Sequence, residues 1–541
     1  MGKKEGIRGW TKEEASSSNE EHWADKIAKK IIAGYPRKDT FICGAGITPS
    51  GTVHIGNFRD VITSEIVCRA LEDKGYNKEL ILFWDDYDRF RKVPKGIPES
   101  FSQFIGMPLS IVPDPYDCHK SYAEHFEKEF EESLPDLGIT PKFIYQAREY
   151  KKNNYYKYIK IALQKRKKIA EILSKFKTQG ISEKDIESYF PFRVYCKQCK
   201  KDSTKIINYD GENKITYSCK CGQKETVDIS KESVGKLSWK VDWAMRWSHY
   251  QICFEPGGKD HATPGGSYDI SKRIAKEVFN TQPPLFQGYE FVGIRGLSSK
   301  MSGSSGIGIS PGELLKIYEP ELLRWLFARI NPEKAFTFCF DSELTRQYDE
   351  FDEAIKSYFT NKLLPGKRRN LLFSKLDPKK EFLKERIPFR QVTSFGQIAQ
   401  GNFNELKKIL PRIGQRFNEE NLKQRLQNSQ NWVKKFAKHL RIEVRDTPNI
   451  NFYNGLNEEE KNQINKLREE LDNYWTLEDL TTLVYSIPRE ATLSNSENKV
   501  RQRKFFKNVY QLLIDSDTGP RLSTFLIALG KEKAKKLLKM E

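Results

Sequence analysis

No run of apolar residues in this 541-residue chain approaches the 18 or so that a membrane-spanning helix needs, which excludes a helical membrane protein. No apolar core follows the basic first ten residues either. The polar stretch TKEEASSSNEEH comes next, so no secretory leader is expected. Gly6 stands where an N-myristoylation site requires Ser or Thr, so no lipid anchor is expected there. These absences set the expectation of a cytoplasmic protein with no membrane association. Internal repeats are lacking too, which excludes a repeat array. Cysteine is sparse: nine thiols in 541 residues, an odd number, do not make a disulfide framework. Cys43, Cys68, Cys118, Cys253 and Cys339 are scattered in apolar or mixed surroundings and read as reduced, structural thiols. The other four fall within 26 residues, Cys196 to Cys221, and such clustering in a reducing compartment points to metal.

Acidic residues run short in the last third. Residues 361–541 carry 36 Lys and Arg against 22 Asp and Glu, a surplus of 14, whereas the preceding 360 residues hold a surplus of 5. A basic C-terminal third suggests a polyanionic partner, nucleic acid or a membrane surface. The competing reading is a Lys-rich composition that merely keeps the chain in solution.

What is present is enough to build several cores, because the length exceeds what one core can serve. Residues 1–35 are polar and then weakly amphipathic, a leading helix. Phe41–Cys43 is a short apolar run that ends at Gly44 and Gly46, as a buried strand does on entering a turn. The turn ITPSGTVHIGN then leads into a helical pattern that stops at Gly75, and a second apolar run, Glu79–Trp84, ends in Asp85, Asp86 and Asp88. Strand, Gly-rich turn, helix and strand make one βαβ unit, which implies a parallel sheet. Between about Glu124 and Gln223, two charged helical segments (Glu124–Leu134 and Tyr150–Lys177) precede the cysteines and read as an insertion. The aromatic stretch from Trp239 onward is where the sheet is expected to resume. From about Lys362 onward helical patterns dominate: Asn404–Leu410, Asn418–Leu426, Asn431–Arg441, Glu458–Asp472, Lys499–Leu513 and Ser523–Leu538. Pro411 and Gly414 separate the first of these from the second. The expectation for this part is an all-α bundle.

Two stretches carry chemistry. Thr48-Pro-Ser-Gly-Thr-Val-His54-Ile55-Gly56-Asn57 lies between a strand and a helix, where helix N–H groups and a partial positive charge suit phosphate. His54 can donate a hydrogen bond to a phosphate oxygen as charge builds. Leu297-Ser298-Ser299-Lys300-Met301-Ser302-Gly303-Ser304-Ser305-Gly306 is a small-residue loop with one cation, suited to closing over a triphosphate. Alone, the first is as readily an ordinary turn and the second a solvated linker.

Taken together, 246 positions apart, His54-Ile55-Gly56-Asn57 and Lys300-Met301-Ser302-Gly303-Ser304 resemble the HIGH and KMSKS motifs of class I aminoacyl-tRNA synthetases. Trp84-Asp-Asp-Tyr-Asp-Arg-Phe-Arg-Lys-Val-Pro94 and Trp239-Lys-Val-Asp-Trp-Ala-Met-Arg-Trp-Ser-His249, running on to Gly258-Lys-Asp-His261, narrow the resemblance to the class I lysyl-tRNA synthetase family. The likeness covers roughly residues 36–360. Gly303 and Ser305 depart from it, replacing loop lysines, so that Lys300 is the loop's one cation.

The resemblance implies a Rossmann-type α/β catalytic domain in two halves, 36–130 and 239–297, after an N-terminal extension at 1–35. It implies an insertion at 131–238 that touches the tRNA acceptor arm and carries a cysteine ribbon at 194–224. A KMSKS-type loop and stem-contact region at 298–361 and a helical tRNA- and anticodon-binding domain at 362–541 complete it. Lysine carboxylate would attack the α-phosphorus of ATP, with Mg²⁺ assisting, and the lysyl group would pass from the adenylate to the 3′-terminal adenosine of tRNA. His54 and Lys300 would be the catalytic residues. Gly56, Asn57, Gly258, Asp260, Met301, Ser302 and Ser304 would join them in binding ATP. Gly46, Thr48, Trp239 and His261 would hold lysine, with its ammonium on one of Asp85, Asp86 or Asp242. The competing reading of Trp239 is a core aromatic.

Cys196-Lys-Gln-Cys199 and Cys219-Lys-Cys221 offer four thiolates, the donor set of a closed structural Zn²⁺ site; the alternative is reduced, unliganded cysteines. The basic segments Lys367–Lys384 and Arg501–Lys507 fit phosphate contacts that bind without reading sequence. Competing assignments are a class I enzyme for another amino acid, with glutamyl nearest by architecture, a silent tRNA-binding relative, and a small-molecule adenylyltransferase. No protein partner and no editing domain is legible.

Overall fold

The computed structural model describes residues 21–176, 182–295 and 308–539. The chain divides into two compact units. The first comprises the stretch ending at Leu315 together with Pro320–Phe338 and Asn361–Lys380; the second comprises Lys316–Glu319, Cys339–Thr360 and Glu381–Glu541.

The first unit is built on a five-stranded, wholly parallel sheet. Its strand order is Leu285–Tyr289, Phe254–Gly258, β1 (Thr40–Ile47), β2 (Asn77–Trp84) and β3 (Lys142–Tyr145). Helix α1 (Trp23–Gly34) buries Ala24, Ile27, Ala28 and Ile31, the spacing of one helical face. Helix α2 (Ile55–Glu72) follows β1 and is buried almost all round, from Ile55 to Leu71, save Gly56 and Asn57 at its start. Its charged residues are therefore paired inside the protein, as buried ions must be. Arg59 donates to the carbonyls of Glu290, Pro332 and Lys334, while Glu65 accepts from Arg69 and Arg324.

Three expectations change here. The sheet does not stop at residue 130, because Ile81–Trp84 of β2 pair with Lys142–Tyr145 inside the span read as insertion. Four residues beginning with a Lys are too short a pattern to announce an edge strand. The Tyr150–Lys177 segment is not one helix: Tyr156–Gln164 and Arg166–Ser174 are separate, preceded by Asn153 in the left-handed region. The aromatic stretch Trp239–Tyr250 is a helix, and the sheet resumes only at Phe254. Its tryptophans recur at intervals of four, which places them on one helical face. The cysteine ribbon is a three-stranded antiparallel sheet, Thr204–Tyr209, Lys214–Cys219 and Lys224–Asp228.

The second unit is helical, with a core that includes Leu406, Leu426, Ile464, Leu467, Val509, Leu513, Phe525 and Leu537. Asn418–Leu426 and Asn431–Arg441 merge into one helix, Glu419–Lys435. Ser523–Leu538 instead divides at Gly530, whose φ of +88° no helix accommodates. Pro411 sits in the last turn of Phe403–Arg412, and the turn itself falls on Gly414 at φ +74°. No helix among the described residues is long and apolar enough to cross a membrane.

Candidate active site

The carboxyl ends of β1 and of strand Phe254–Gly258 open onto the residues singled out by the sequence, the place where open α/β sheets bind ligands. His54 is the N-cap of α2. Its Nδ1 accepts from the backbone N–H of Gly56 at 3.1 Å and of Asn57 at 3.3 Å, and the Asn57 side chain accepts from the N–H of His54 in return. An Nδ1 that accepts two N–H groups carries no proton, so the neutral ring must hold its proton on Nε2. The cap thus makes the imidazole a donor of fixed tautomer at a helix N-terminus.

Lys300, Met301, Ser302, Gly303 and Ser304 lie outside the described residues. The chain that leaves their loop meets His54. A Cβ on Gly308 would stand 2.6 Å from the Cβ of His54, and the Ile309 carbonyl accepts from the Ile55 N–H at 2.8 Å. The descending end of the second motif is therefore packed on the first.

Gly46 lies near the end of β1, where its N–H donates to Asp60 at 2.9 Å, and Thr48 is exposed on the turn beyond. Across the sheet, a Cβ on Gly44 would meet the Glu255 carboxyl at 3.3 Å. Gly258 ends its strand against Asp260, whose Oδ1 would lie 2.6 Å from an added Cβ; Asp260 is exposed on the following 3₁₀ turn. Behind it rises an aromatic wall. Trp239 stacks on Trp243 at 5.0 Å and 18°, and Trp243 meets Trp247, His261, Tyr268 and Phe286. Trp239 is half-buried, with the Arg246 guanidinium 5.2 Å over its ring.

The acidic residues are arranged otherwise than expected. Asp242 is fully buried: Arg246 donates to one oxygen, at 2.8 Å through Nε, and the Tyr150 hydroxyl to the other. It holds the core together rather than facing the pocket, which corrects its assignment as a lysine ligand. Asp85 accepts from Arg246 at 2.6 Å, Asp86 from the Ala147 N–H at 2.8 Å, and Asp88 from Lys236 at 2.5 Å. Burial raises the Asp85 carboxyl to about 6 and that of Asp86 to about 7. Two carboxylates that the sequence pattern did not single out are left in the opening. Glu255 accepts from Trp247 Nε1 at 2.6 Å, and Asp60 stands beside the Tyr289 hydroxyl; burial raises both carboxyls. Neither forms an ion pair among the described residues. The signal for Glu255 was an acid placed inside an apolar strand. Asp60 gave none.

In the ribbon, Cys196 and Cys221 lie 3.7 Å apart through sulfur, Cys199 and Cys219 3.6 Å apart, and all four sulfurs fall within 4.8 Å of one another. A disulfide needs about 2.05 Å. A tetrahedron of Zn–S bonds near 2.3 Å sets sulfurs about 3.8 Å apart, which these four fit.

The family model described as tRNA synthetases class I (K) matches residues 21–375. A protein of Pyrococcus horikoshii named lysine–tRNA ligase is 38% identical over 533 residues, covering 96% of this chain and 99% of its own. Proteins of the same name from Borreliella burgdorferi and Pyrococcus furiosus are 35% and 37% identical, covering 95% and 96% of this chain and 98% and 99% of theirs. With its parallel sheet, its His54 cap and a family match over more than half its length, the chain belongs to the class I tRNA synthetases.

Proposed function

We infer that this protein is a lysine–tRNA ligase, which forms lysyl-adenylate from L-lysine and ATP, releases pyrophosphate, and then transfers lysine to tRNA with release of AMP. The observation that carries the reading is the packing of Gly308 and Ile309 onto His54, which brings the end of the loop motif to the phosphate-binding turn. Relatives named lysine–tRNA ligase over nearly the whole length support the amino acid.

In this reading His54 donates from Nε2 to the triphosphate, where a positioned donor strengthens as charge develops. Lys300 supplies the loop cation, with Met301, Ser302 and Ser304 beside it, and ATP enters with Mg²⁺, which neutralises phosphate charge. Gly56 and Asn57 shape the helix N-terminus, and Gly258 leaves room for Asp260 to accept from the ribose hydroxyls. Gly46 and Thr48 meet the amino acid on one side, Trp239 and His261 on the other, and Glu255 or Asp60 takes the ammonium in place of Asp242. The four ribbon cysteines hold structural Zn²⁺, and the exposed Lys367, Lys379 and Lys380 meet tRNA phosphate. The protein would work in the cytoplasm, where translation supplies its tRNA.

ATP–pyrophosphate exchange with each of the twenty amino acids tests the reading. Exchange with lysine alone is expected. Exchange with another amino acid keeps the chemistry and overturns the pocket. No exchange, with or without tRNA, favours a silent tRNA-binding protein and makes the absent loop lysines the first suspects.

A further inference from the structure

Cys118 differs from the other scattered thiols. Cys43, Cys68, Cys253 and Cys339 are buried, whereas Cys118 is exposed and three metal-ligating side chains close on it. Its sulfur lies 3.1 Å from His119 Nδ1, 3.2 Å from His125 Nδ1 and 3.2 Å from Asp114 Oδ2. The carboxylate of Asp114 is in turn 3.5 Å from His125 Nδ1 and 3.8 Å from His119 Nδ1. One donor atom from each of the four lies within 4.8 Å of all the others.

From these contacts we propose a second zinc site, Asp114-Cys118-His119-His125, separate from the cysteine ribbon. Bond lengths near 2.3 Å for sulfur and 2.0–2.1 Å for nitrogen or oxygen set tetrahedral neighbours about 3.3–3.6 Å apart. The five measured separations, 3.1 to 3.8 Å, bracket that value. Thiolate, two imidazoles and a carboxylate suit a borderline-soft divalent ion rather than Mg²⁺ or Ca²⁺, which favour all-oxygen shells.

The surroundings hold these donors in place. Buried Asp114 accepts from the N–H groups of Tyr116, Cys118 and His119, at 3.1, 2.9 and 2.7 Å, which fixes its carboxylate at the centre of the turn. Asp117 takes a φ of +54°, and that left-handed residue turns the chain so that Cys118 faces back to Asp114. Tyr116 packs on the His125 ring at 4.6 Å. His125 belongs to helix α3 (Tyr122–Ser133), so the ion would tie the preceding loop to that helix. Four protein ligands leave no position for substrate, which makes the site structural.

Its place gives it a consequence. Tyr122, the first residue of α3, donates its hydroxyl to the Ser50 carbonyl at 3.0 Å, in the turn that leads to His54. The ion would thus anchor the element that steadies this turn, a consequence that rests on the function proposed above, whereas the metal site itself does not.

The test is elemental analysis and zinc X-ray absorption on the full chain purified in zinc-replete buffer without chelator. Two zinc ions per chain are expected, with a shell averaging five sulfurs and three nitrogens or oxygens over the pair. One zinc in an all-sulfur shell overturns the proposal without any variant. His119→Gln, at the edge of the cluster, should lower the content from two ions to one and leave the ribbon's sulfur shell. It should also raise the KM for ATP in exchange several-fold. Content unchanged in that variant sinks the site, whatever the exchange assay gives.

Discussion

His54 divides two tasks between its ring nitrogens. Nδ1 caps α2, and Nε2 is left as the donor. Substitution can separate the two, because an Asn side chain caps a helix as well as most residues but cannot place a donor where Nε2 stands. His54→Asn should keep stability close to that of the parent and lower the rate of adenylate formation by roughly a hundredfold or more, the usual cost of removing one such donor. His54→Ala should lose a similar factor and about 1 kcal/mol of stability besides. Thermal unfolding and pyrophosphate exchange on the two variants check this. Equal rates for His54→Asn and the parent would confine His54 to capping.

Charge buried between helices is the main electrostatic device of the second unit. Glu319 accepts from Arg386, Arg425 and the Asn421 side chain, and Arg425 also pairs with Asp352. Burial alone would raise the Glu319 carboxyl, but the two guanidinium groups outweigh burial and bring it down to about 2. A carboxylate depressed in the folded state stabilises it fully above the unfolded value near 4.5, and that contribution is lost as pH falls from there toward 2. About 3 kcal/mol should therefore vanish across that interval, an order-of-magnitude figure for a group out of water. Glu319→Gln should cost roughly 3–5 kcal/mol at neutral pH, since it strands Arg425, and should flatten the acid slope. Circular dichroism of helix content against pH, parent beside variant, reads both. Parallel slopes would show that other carboxylates govern acid unfolding.

Across the whole molecule, the basic surplus narrows once partners are counted. Arg501 pairs with Glu459 and Glu490, Lys504 with Glu460, and Lys507 with Asp517, so most of the Arg501–Lys507 segment is neutralised within its own unit. In the Lys367–Lys384 segment, Arg369 is held by Asp25 and Asp73, but Lys367, Lys379 and Lys380 are exposed. Replacing both Lys379 and Lys380 by Glu should weaken tRNA binding several-fold and make its dependence on salt shallower, by roughly 0.7–0.9 in log–log slope for each phosphate no longer neutralised. The same change at Lys504 and Lys507 should do less, and neither should alter lysine-dependent exchange without tRNA. Filter binding across a salt series distinguishes them, and equal effects at the two places would mean a diffuse field rather than a defined binding surface.

The sequence alone determined the βαβ start, the helical last third, the thiol cluster and the turn carrying His54. Each is local: a strand run, a helical period, a ligand spacing or a cap is written within a few neighbouring residues. Tertiary structure decided the rest. Whether Asp242 faces lysine or Arg246 depends on residues 150 and 246. That Glu255 and Asp60 share one opening depends on a sheet pairing β1 with a strand some two hundred positions away. The approach of Gly308 to His54 is of the same kind. A buried charge takes whichever partner the fold brings within reach, and the cost of leaving it unpaired enforces that pairing. Periodicity along the chain carries no record of it.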